Sequence, residues 1–188
     1  MIRLCQLILL LSSCWLLAST TTAQTLDAMI QPYRYPVQEL QVDDSTKLAY
    51  IDVGQGEETL VFVHGLATYI PAWYPVIDRL KEHYRCIALD LPGYGLSSKD
   101  DYPGTMPYYA EVLQHLLQTL DLQEATLVGH SMGGQVVLSA ALQEPARLKQ
   151  LILLAPAGFE TFAPAQADWM KRLFTLETVM GADETQIR

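Results

Sequence analysis

A serine lies at the centre of the pentapeptide Gly-His-Ser-Met-Gly at residues 129–133. Residues 125–128 before it, which are apolar apart from Thr126, are typical of a short buried strand, and residues 132–142 after it favour a helix. A strand, a G-x-S-x-G sequence and a helix in this order are typical of a nucleophile elbow, whose sharp turn exposes the serine hydroxyl. Glycine at 129 and 133 would let the neighbouring backbones pass close. We therefore predict that Ser131 is a nucleophile, at a helix N-terminus whose free N–H groups favour developing negative charge.

A second segment, Val-His-Gly-Leu-Ala at residues 63–67, ends an earlier apolar run, where a loop that binds an oxyanion is expected. Acyl transfer develops negative charge on a carbonyl oxygen, and each preorganised N–H donor aimed at it contributes about 2.7–4 kcal/mol. The candidate donors are the backbone N–H groups of Leu66 and Met132. The two segments together indicate chemistry at a carbonyl group.

None of the four histidines is favourable as the general base that this chemistry requires. His64 lies at a strand end, where bracing the loop is the expected role. His130 adjoins the serine, so its side chain is expected to point away from the nucleophile. His83 and His115 fall within predicted helices on other parts of the surface.

The elements that must position these residues alternate along the chain. A polar and apolar alternation over residues 37–42 and 47–53, around a turn at 43–45, predicts an antiparallel hairpin. Strands alternating with helices imply βαβ units, and hence an α/β fold with a mostly parallel sheet flanked by helices. The further strands are predicted at 59–63, 85–91, 125–128 and 150–154, and the helices at 72–84, 108–120 and 132–142.

Composition excludes several classes of protein. Half of the 188 residues are apolar, 18% are charged and the net charge is −9, which is a globular balance without a basic run for nucleic acid. The cysteines at 5, 14 and 86 have no metal-ligand spacing. The segment at 93–95 is too short for a dinucleotide fingerprint. We expect no metal, no cofactor and no nucleic acid, and a small-molecule substrate as the partner.

Residues 1–23 are typical of an export signal, with Arg3 before an apolar run and small residues before Ala23. Cleavage after Ala23 is the favoured route. The alternative is lipidation of Cys14, because Leu-Ser-Ser-Cys at 11–14 resembles a bacterial lipobox. We expect an exported protein, periplasmic or secreted, that contacts a membrane only if Cys14 carries a lipid anchor. Residues 24–36 form a polar lead-in.

The order of these motifs resembles the α/β-hydrolase superfamily, and within it the serine-dependent members that have a helical cap. The resemblance covers about residues 37–160 and rests on His-Gly at 64–65, Asp-Leu-Pro-Gly-Tyr-Gly-Leu-Ser at 90–97 and the elbow. It implies that Ser131 is the nucleophile, that Leu66 and Met132 supply the oxyanion hole, and that Asp90 braces a loop. It also implies a hydrolase core at 37–158 and the beginning of a cap at 159–188.

The chain departs from this family after the nucleophile. The family's acid and histidine follow the serine, but no histidine follows Ser131 here. Glu160 would be an unusual, early acid. The C-terminal strands of the fold are also missing, which would expose a sheet edge and apolar helix faces. We therefore favour a fragment of a longer enzyme over a complete protein that has lost its base.

The resemblance and the departure leave three functions open. The favoured one is an exported serine hydrolase that cleaves an ester-like or other acyl bond through an acyl-enzyme on Ser131. The alternatives are an inactive binding protein on the same fold and a non-hydrolytic enzyme on that fold. Serine at the elbow argues against relatives that use an aspartate nucleophile. Four aromatic residues either favour an apolar acyl or ring-bearing substrate or simply cover the core: Tyr69, Trp73, Tyr74 and Trp169.

Overall fold

The computed structural model describes residues 33–99, 102–161 and 163–173, with side chains up to Trp169. The predicted export signal, Ala23 and the candidate lipidation site Cys14 lie outside the described residues. So does the end of the predicted cap beyond Leu173.

Six strands and four α-helices follow one another along the described chain. The strands are β1 (Gln38–Gln41), β2 (Lys47–Val53), β3 (Thr59–Val63), β4 (Arg85–Asp90), β5 (Ala125–His130) and β6 (Leu148–Leu154). The helices are α1 (Tyr74–Leu80), α2 (Met106–Thr119), α3 (Met132–Gln143) and α4 (Pro164–Leu173). Short 3₁₀ turns at Ile70–Trp73 and Pro145–Arg147 precede α1 and β6.

The strands form one sheet in the order β1-β2-β4-β3-β5-β6. β1 and β2 pair as the predicted antiparallel hairpin, and β2 pairs antiparallel with β4. β4, β3, β5 and β6 run parallel. The predicted mostly parallel α/β sheet is confirmed. Its parallel part brings the carboxyl ends of β3, β4 and β5 to the same edge.

The central strands are buried on both faces, as their continuous apolar runs predict. In β3, Val61 and Val63 face one core cluster, which also contains residues of α2 and α3. Leu60 and Phe62 face the other cluster, which contains Ile77 of α1. Each strand is therefore held between two apolar layers, so its carboxyl end has a fixed position.

The helix predicted over residues 72–84 is wrong in extent. A 3₁₀ turn is followed by α1, which ends at Leu80, and residues 81–84 form a turn. Pro71 and Pro75 each lie in the first turn of a helix, where the backbone N–H that proline lacks would have no partner within the helix. Each proline therefore favours the start of a separate short helix. At the other end, the backbone carbonyls of Lys81 and His83 approach Gly54 and Gly56 so closely that a Cβ there would lie 2.6 and 2.0 Å from them.

Within the described residues β6 is one of the two edge strands of the sheet, and β1 is the other. Ile152 and Leu154 on β6 are 38% and 43% exposed, and Trp169 on α4 is 62% exposed. The described part of the predicted cap is therefore a helix whose tryptophan is not buried by the other described residues.

Candidate active site

Ser131 lies between the end of β5 and the start of α3, with φ 52° and ψ −119°. Such a conformation is unfavourable for a residue with a side chain, and it persists only where its surroundings over-determine it. The Ser131 N–H donates to the Leu154 carbonyl at 3.0 Å. The Ser131 carbonyl accepts from the N–H groups of Gly134 and Ala157, both at 2.9 Å. Contacts on both sides thus hold the strained turn.

Two glycines give the turn its space. A Cβ on Gly133 would lie 2.2 Å from the Val63 carbonyl oxygen and 2.5 Å from that of His64, both backbone atoms of β3 and its loop. A Cβ on Gly129 would lie 2.5 Å from the Gly133 carbonyl oxygen. The first turn of α3 can therefore lie directly against the end of β3.

The loop after β3 passes beside the serine. A Cβ on Gly65 would lie 3.1 Å from the Ser131 Cβ. The Gly65 carbonyl accepts from the ring of His64 at 2.8 Å, and from the Thr68 hydroxyl and N–H at 2.9 and 3.3 Å. Because the C=O and N–H of a trans peptide point in opposite directions, these contacts also set the direction of the Leu66 N–H.

Both ring nitrogens of His64 are hydrogen-bonded. Nδ1 donates to the Gly65 carbonyl, and Nε2 accepts from the Leu91 N–H at 3.1 Å. This pattern requires the neutral tautomer with its proton on Nδ1. The side chain is 1% exposed, and burial lowers the pKa of His64 below its ordinary value. The ring therefore joins the loops after β3 and β4 and has no nitrogen available as a base.

Stability should depend on pH through His64. The unfolded chain binds a proton at its imidazole below about pH 6.5, whereas burial opposes protonation in the folded protein. The stabilisation that comes from burying His64 in its neutral form is therefore present above about pH 6.5. It is lost on acidification, by up to about 1.4 kcal/mol per pH unit. We expect urea unfolding to show a lower free energy at about pH 5.5 than at about pH 7.

The variant His64→Gln should flatten this pH dependence, and His83→Gln, at an exposed position, should retain it. An unchanged slope in a folded His64→Gln protein would contradict the assignment. If that variant does not fold, NMR titration of the His64 ring in the wild-type protein decides the question. An ordinary pKa of His64 would contradict the assignment.

Asp90 ends β4 and is fully buried. One carboxylate oxygen accepts from the Ile70 N–H at 2.7 Å. The other accepts from the Leu96 N–H at 2.8 Å and from the Tyr33 hydroxyl at 2.5 Å. The carboxylate thus joins three separate segments. The sequence indicated Asp90 as a bracing residue, but nothing in it indicated Tyr33 or the Thr68 hydroxyl.

The remaining candidates for acid and base are the other three histidines and Glu160. His115 contacts the Gln41 carbonyl through Nε2 at 3.1 Å, and His83 is exposed. His130 is exposed and lies beside Gly65, where a Cβ would be 3.1 Å from its Nδ1. Glu160 is exposed and accepts the Gly158 N–H at 2.8 Å; backbone N–H groups lower its pKa. The structure brings none of these groups into a triad.

A cavity of about 270 Å³ opens beside the elbow. His130, directly before Ser131, and Leu154, whose carbonyl accepts the Ser131 N–H, both line the cavity. Of the four aromatic residues for which the sequence left substrate contact or core packing open, Trp73 lines the cavity, whereas Tyr74 is 1% exposed in the core. The lining residues are His64, Gly65, Thr68, Ala72, Trp73, His130 and Leu154.

Within residues 33–99, 102–161 and 163–173, no group of three or more histidine, cysteine or acidic residues could hold a metal ion. Among the helices of the described part of the chain, none is long and apolar enough to cross a membrane.

The family model of the alpha/beta hydrolase fold matches residues 58–183. The chain therefore belongs to the α/β-hydrolase family, as the sequence motifs indicated.

Relatives of the chain include proteins described as hydrolases. It is 38% identical over 136 residues to the uncharacterized hydrolase YugF of Bacillus subtilis. The matched region covers 66% of this chain and 50% of that protein. A probable hydrolytic enzyme from Pseudomonas aeruginosa superposes with a TM-score of 0.66 at 30% identity, covering 80% of this chain and 53% of that one. A putative lipase from Acinetobacter baumannii superposes with a TM-score of 0.66 at 29% identity, covering 73% and 48%. The chain thus spans about half the length of these relatives.

Proposed function

We propose that this protein is a serine hydrolase that cleaves an ester-like or related acyl bond through an acyl-enzyme on Ser131. The observation that carries the proposal is the strained Ser131 at the junction of β5 and α3, with φ 52°. Its nucleophile position at a helix N-terminus, beside the loop of Gly65 and the cavity, is the arrangement that acyl transfer uses.

In the proposed reaction the Ser131 oxygen attacks the acyl carbonyl carbon, and its proton passes to a base. Collapse of the tetrahedral intermediate expels the alcohol or other leaving group, which takes up a proton, and leaves an ester on Ser131. Water then attacks this ester and releases the acid. The same base removes a proton from the water and returns one to the serine oxygen.

Two backbone N–H groups would stabilise the negative oxygen of the intermediate. We assign this role to Met132, at the first position of α3, and to Leu66, whose peptide plane is set by the contacts of the Gly65 carbonyl. Donors that are already oriented need no reorganisation when the charge develops. This is the chemical reason for holding the loop so firmly.

We propose that the general base and the acid that orients it lie outside the 188 residues. No histidine follows Ser131, and both ring nitrogens of His64 are engaged. The half-length match to the relatives supports the same proposal. The region from residue 159 onward would begin the cap.

We further propose an apolar acyl substrate and an exported protein. Ala72, Trp73 and Leu154 give the cavity much of its apolar wall. The description of one structural neighbour as a putative lipase agrees with such a substrate. The export proposal rests on residues 1–23, with release by cleavage after Ala23 or anchoring through Cys14.

A covalent probe tests the function directly. The natural full-length protein, purified from its own cells, should react with a fluorophosphonate, and peptide mass spectrometry should find the adduct on Ser131. A folded protein that contains a histidine after the cap and resists the probe would contradict the acyl-enzyme, and would favour a binding protein. The intact mass of the same sample reports cleavage after Ala23 or a lipid on Cys14.

A further inference from the structure

The end of the predicted lead-in is packed on α1. The Arg34 N–H donates to the Tyr74 hydroxyl at 3.0 Å, and the Arg34 guanidinium lies 3.0 Å from the Asp78 carboxylate. The Tyr35 hydroxyl donates to the same carboxylate. Residues 33–35 therefore form a strap across α1, whose contacts to that helix are part-buried except for the exposed pair of Arg34 and Asp78.

Tyr33 differs from the rest of this strap because its hydroxyl reaches a fully buried carboxylate. It donates to Asp90 at 2.5 Å, across 57 residues of sequence. A Cβ on Gly95 would lie 2.5 Å from the Tyr33 oxygen and 1.9 Å from the Asp90 carboxylate. The loop after β4 thus closes over the contact, in which the hydroxyl is one of three donors to the carboxylate.

Asp90 is also the anchor of the loop that carries the proposed oxyanion donor. Its other oxygen accepts the Ile70 N–H, at the end of the segment that begins with Gly65. The beginning of that segment is held by the ring of His64 and by Thr68. Between these two anchors lies Leu66, which is 51% exposed and has little packing of its own to hold it.

We propose that Tyr33 is a positioning residue: by donating to Asp90, it holds the loop of residues 65–70 in the place that the oxyanion donor requires. This inference rests on the proposed function and extends its machinery into the segment before the first strand. The strap then has a role in the reaction, because a contact at residue 33 helps to position an N–H at residue 66.

The physical argument is the orientation of a buried carboxylate. A carboxylate with donors on both oxygens has a defined plane, and a charge-assisted hydrogen bond is about twice as strong as a neutral one. Without the Tyr33 hydroxyl, the Leu96 N–H is the one donor left to the second oxygen among the described residues. The carboxylate can then rotate, and the Ile70 N–H moves with it. Burial and the Asp90 charge raise the pKa of Tyr33, which keeps the hydroxyl protonated as the donor.

The variants Tyr33→Phe and Tyr35→Phe form a matched pair in the natural full-length protein. Each removes one hydroxyl from the same strap, but only the first removes a donor to Asp90. With p-nitrophenyl butyrate as the probe, we expect Tyr33→Phe to lower kcat about tenfold at unchanged KM. This loss is smaller than the roughly 100-fold that a misplacement of 1 Å can cause. An unchanged KM is the signature of a contact that acts only in the transition state. Tyr35→Phe should change neither constant.

Hydrogen exchange of the peptide covering residues 65–70 gives a second readout that needs no activity. We expect faster exchange in Tyr33→Phe than in Tyr35→Phe or the wild type. Equal exchange in the two variants overturns the inference. Faster exchange with an unchanged kcat overturns it too, because the contact would then be structural only.

The variant Ser131→Ala separates this inference from the proposed function. If Ser131→Ala hydrolyses the ester as well as the wild type does, the proposed function fails, and hydrogen exchange alone decides whether Tyr33 holds the loop. If Ser131→Ala is inactive while Tyr33→Phe matches Tyr35→Phe in kcat, only the role of Tyr33 fails.

Discussion

Replacing Ser131 by alanine in the natural full-length protein is expected to lower kcat for an activated ester by about 10⁴- to 10⁶-fold, by analogy with the loss of a catalytic serine in other hydrolases. The reason is that the alanine methyl group cannot form the acyl intermediate, so both chemical steps lose their route. The residual rate would come from the oxyanion donors and from binding, which do not depend on the serine oxygen.

The measurement is the initial rate of p-nitrophenyl ester hydrolysis, with covalent labelling of the same samples. The control is Ser139→Ala, a serine on the same helix α3 that is eight residues from the elbow. It should retain the wild-type rate and label. An active Ser131→Ala protein of confirmed mass would show that hydrolysis uses a different nucleophile.

The second large effect concerns stability. The variant Gly133→Ala would place a methyl group 2.2 and 2.5 Å from two backbone carbonyl oxygens, those of Val63 and His64. Since neither is the end of a flexible side chain, the first turn of α3 must move away from β3. We expect a loss of about 3 kcal/mol in the free energy of unfolding, at the upper end of the overpacking range.

Urea unfolding monitored by circular dichroism measures this loss as a lower midpoint at constant slope. The control is Gly65→Ala, another buried glycine near the elbow, where the new methyl group would lie 3.1 Å from the side chains of His130 and Ser131. Because these contacts are longer and include a movable ring, its loss should be clearly smaller. Equal midpoints for the two variants would contradict the close-packing argument.

Much of the fold could be predicted from local spacing. β2 and β3 have the bounds that their residue patterns predict, and β5 extends two residues beyond its predicted end. These elements follow from alternation and continuous apolar runs, which depend on neighbours in sequence. Helix 72–84 was wrong because proline positions and the contacts of Gly54 and Gly56 limit it, and those contacts come from elsewhere in the chain.

The candidate site divides in the same way. The position of Ser131 between a strand and a helix could be predicted because the motif and its flanking elements are contiguous. The three donors at the Gly65 carbonyl could not, since only the folded loop brings Thr68 and the His64 ring to one oxygen. For Tyr74 the sequence left substrate contact and core packing open, because a list of aromatic residues contains no information on which face they occupy. The structure places Tyr74 in the core.

By itself, the sequence determined the α/β class, the hairpin, the elbow and the family, because each depends on residue types at short, regular spacing. Only the tertiary structure decided the strand order, the neutral tautomer of His64 and the contact between Tyr33 and Asp90. Those features join residues that are far apart in the chain. Their pairing depends on the geometry of the sheet and on the requirement that a buried carboxylate and a buried imidazole find partners.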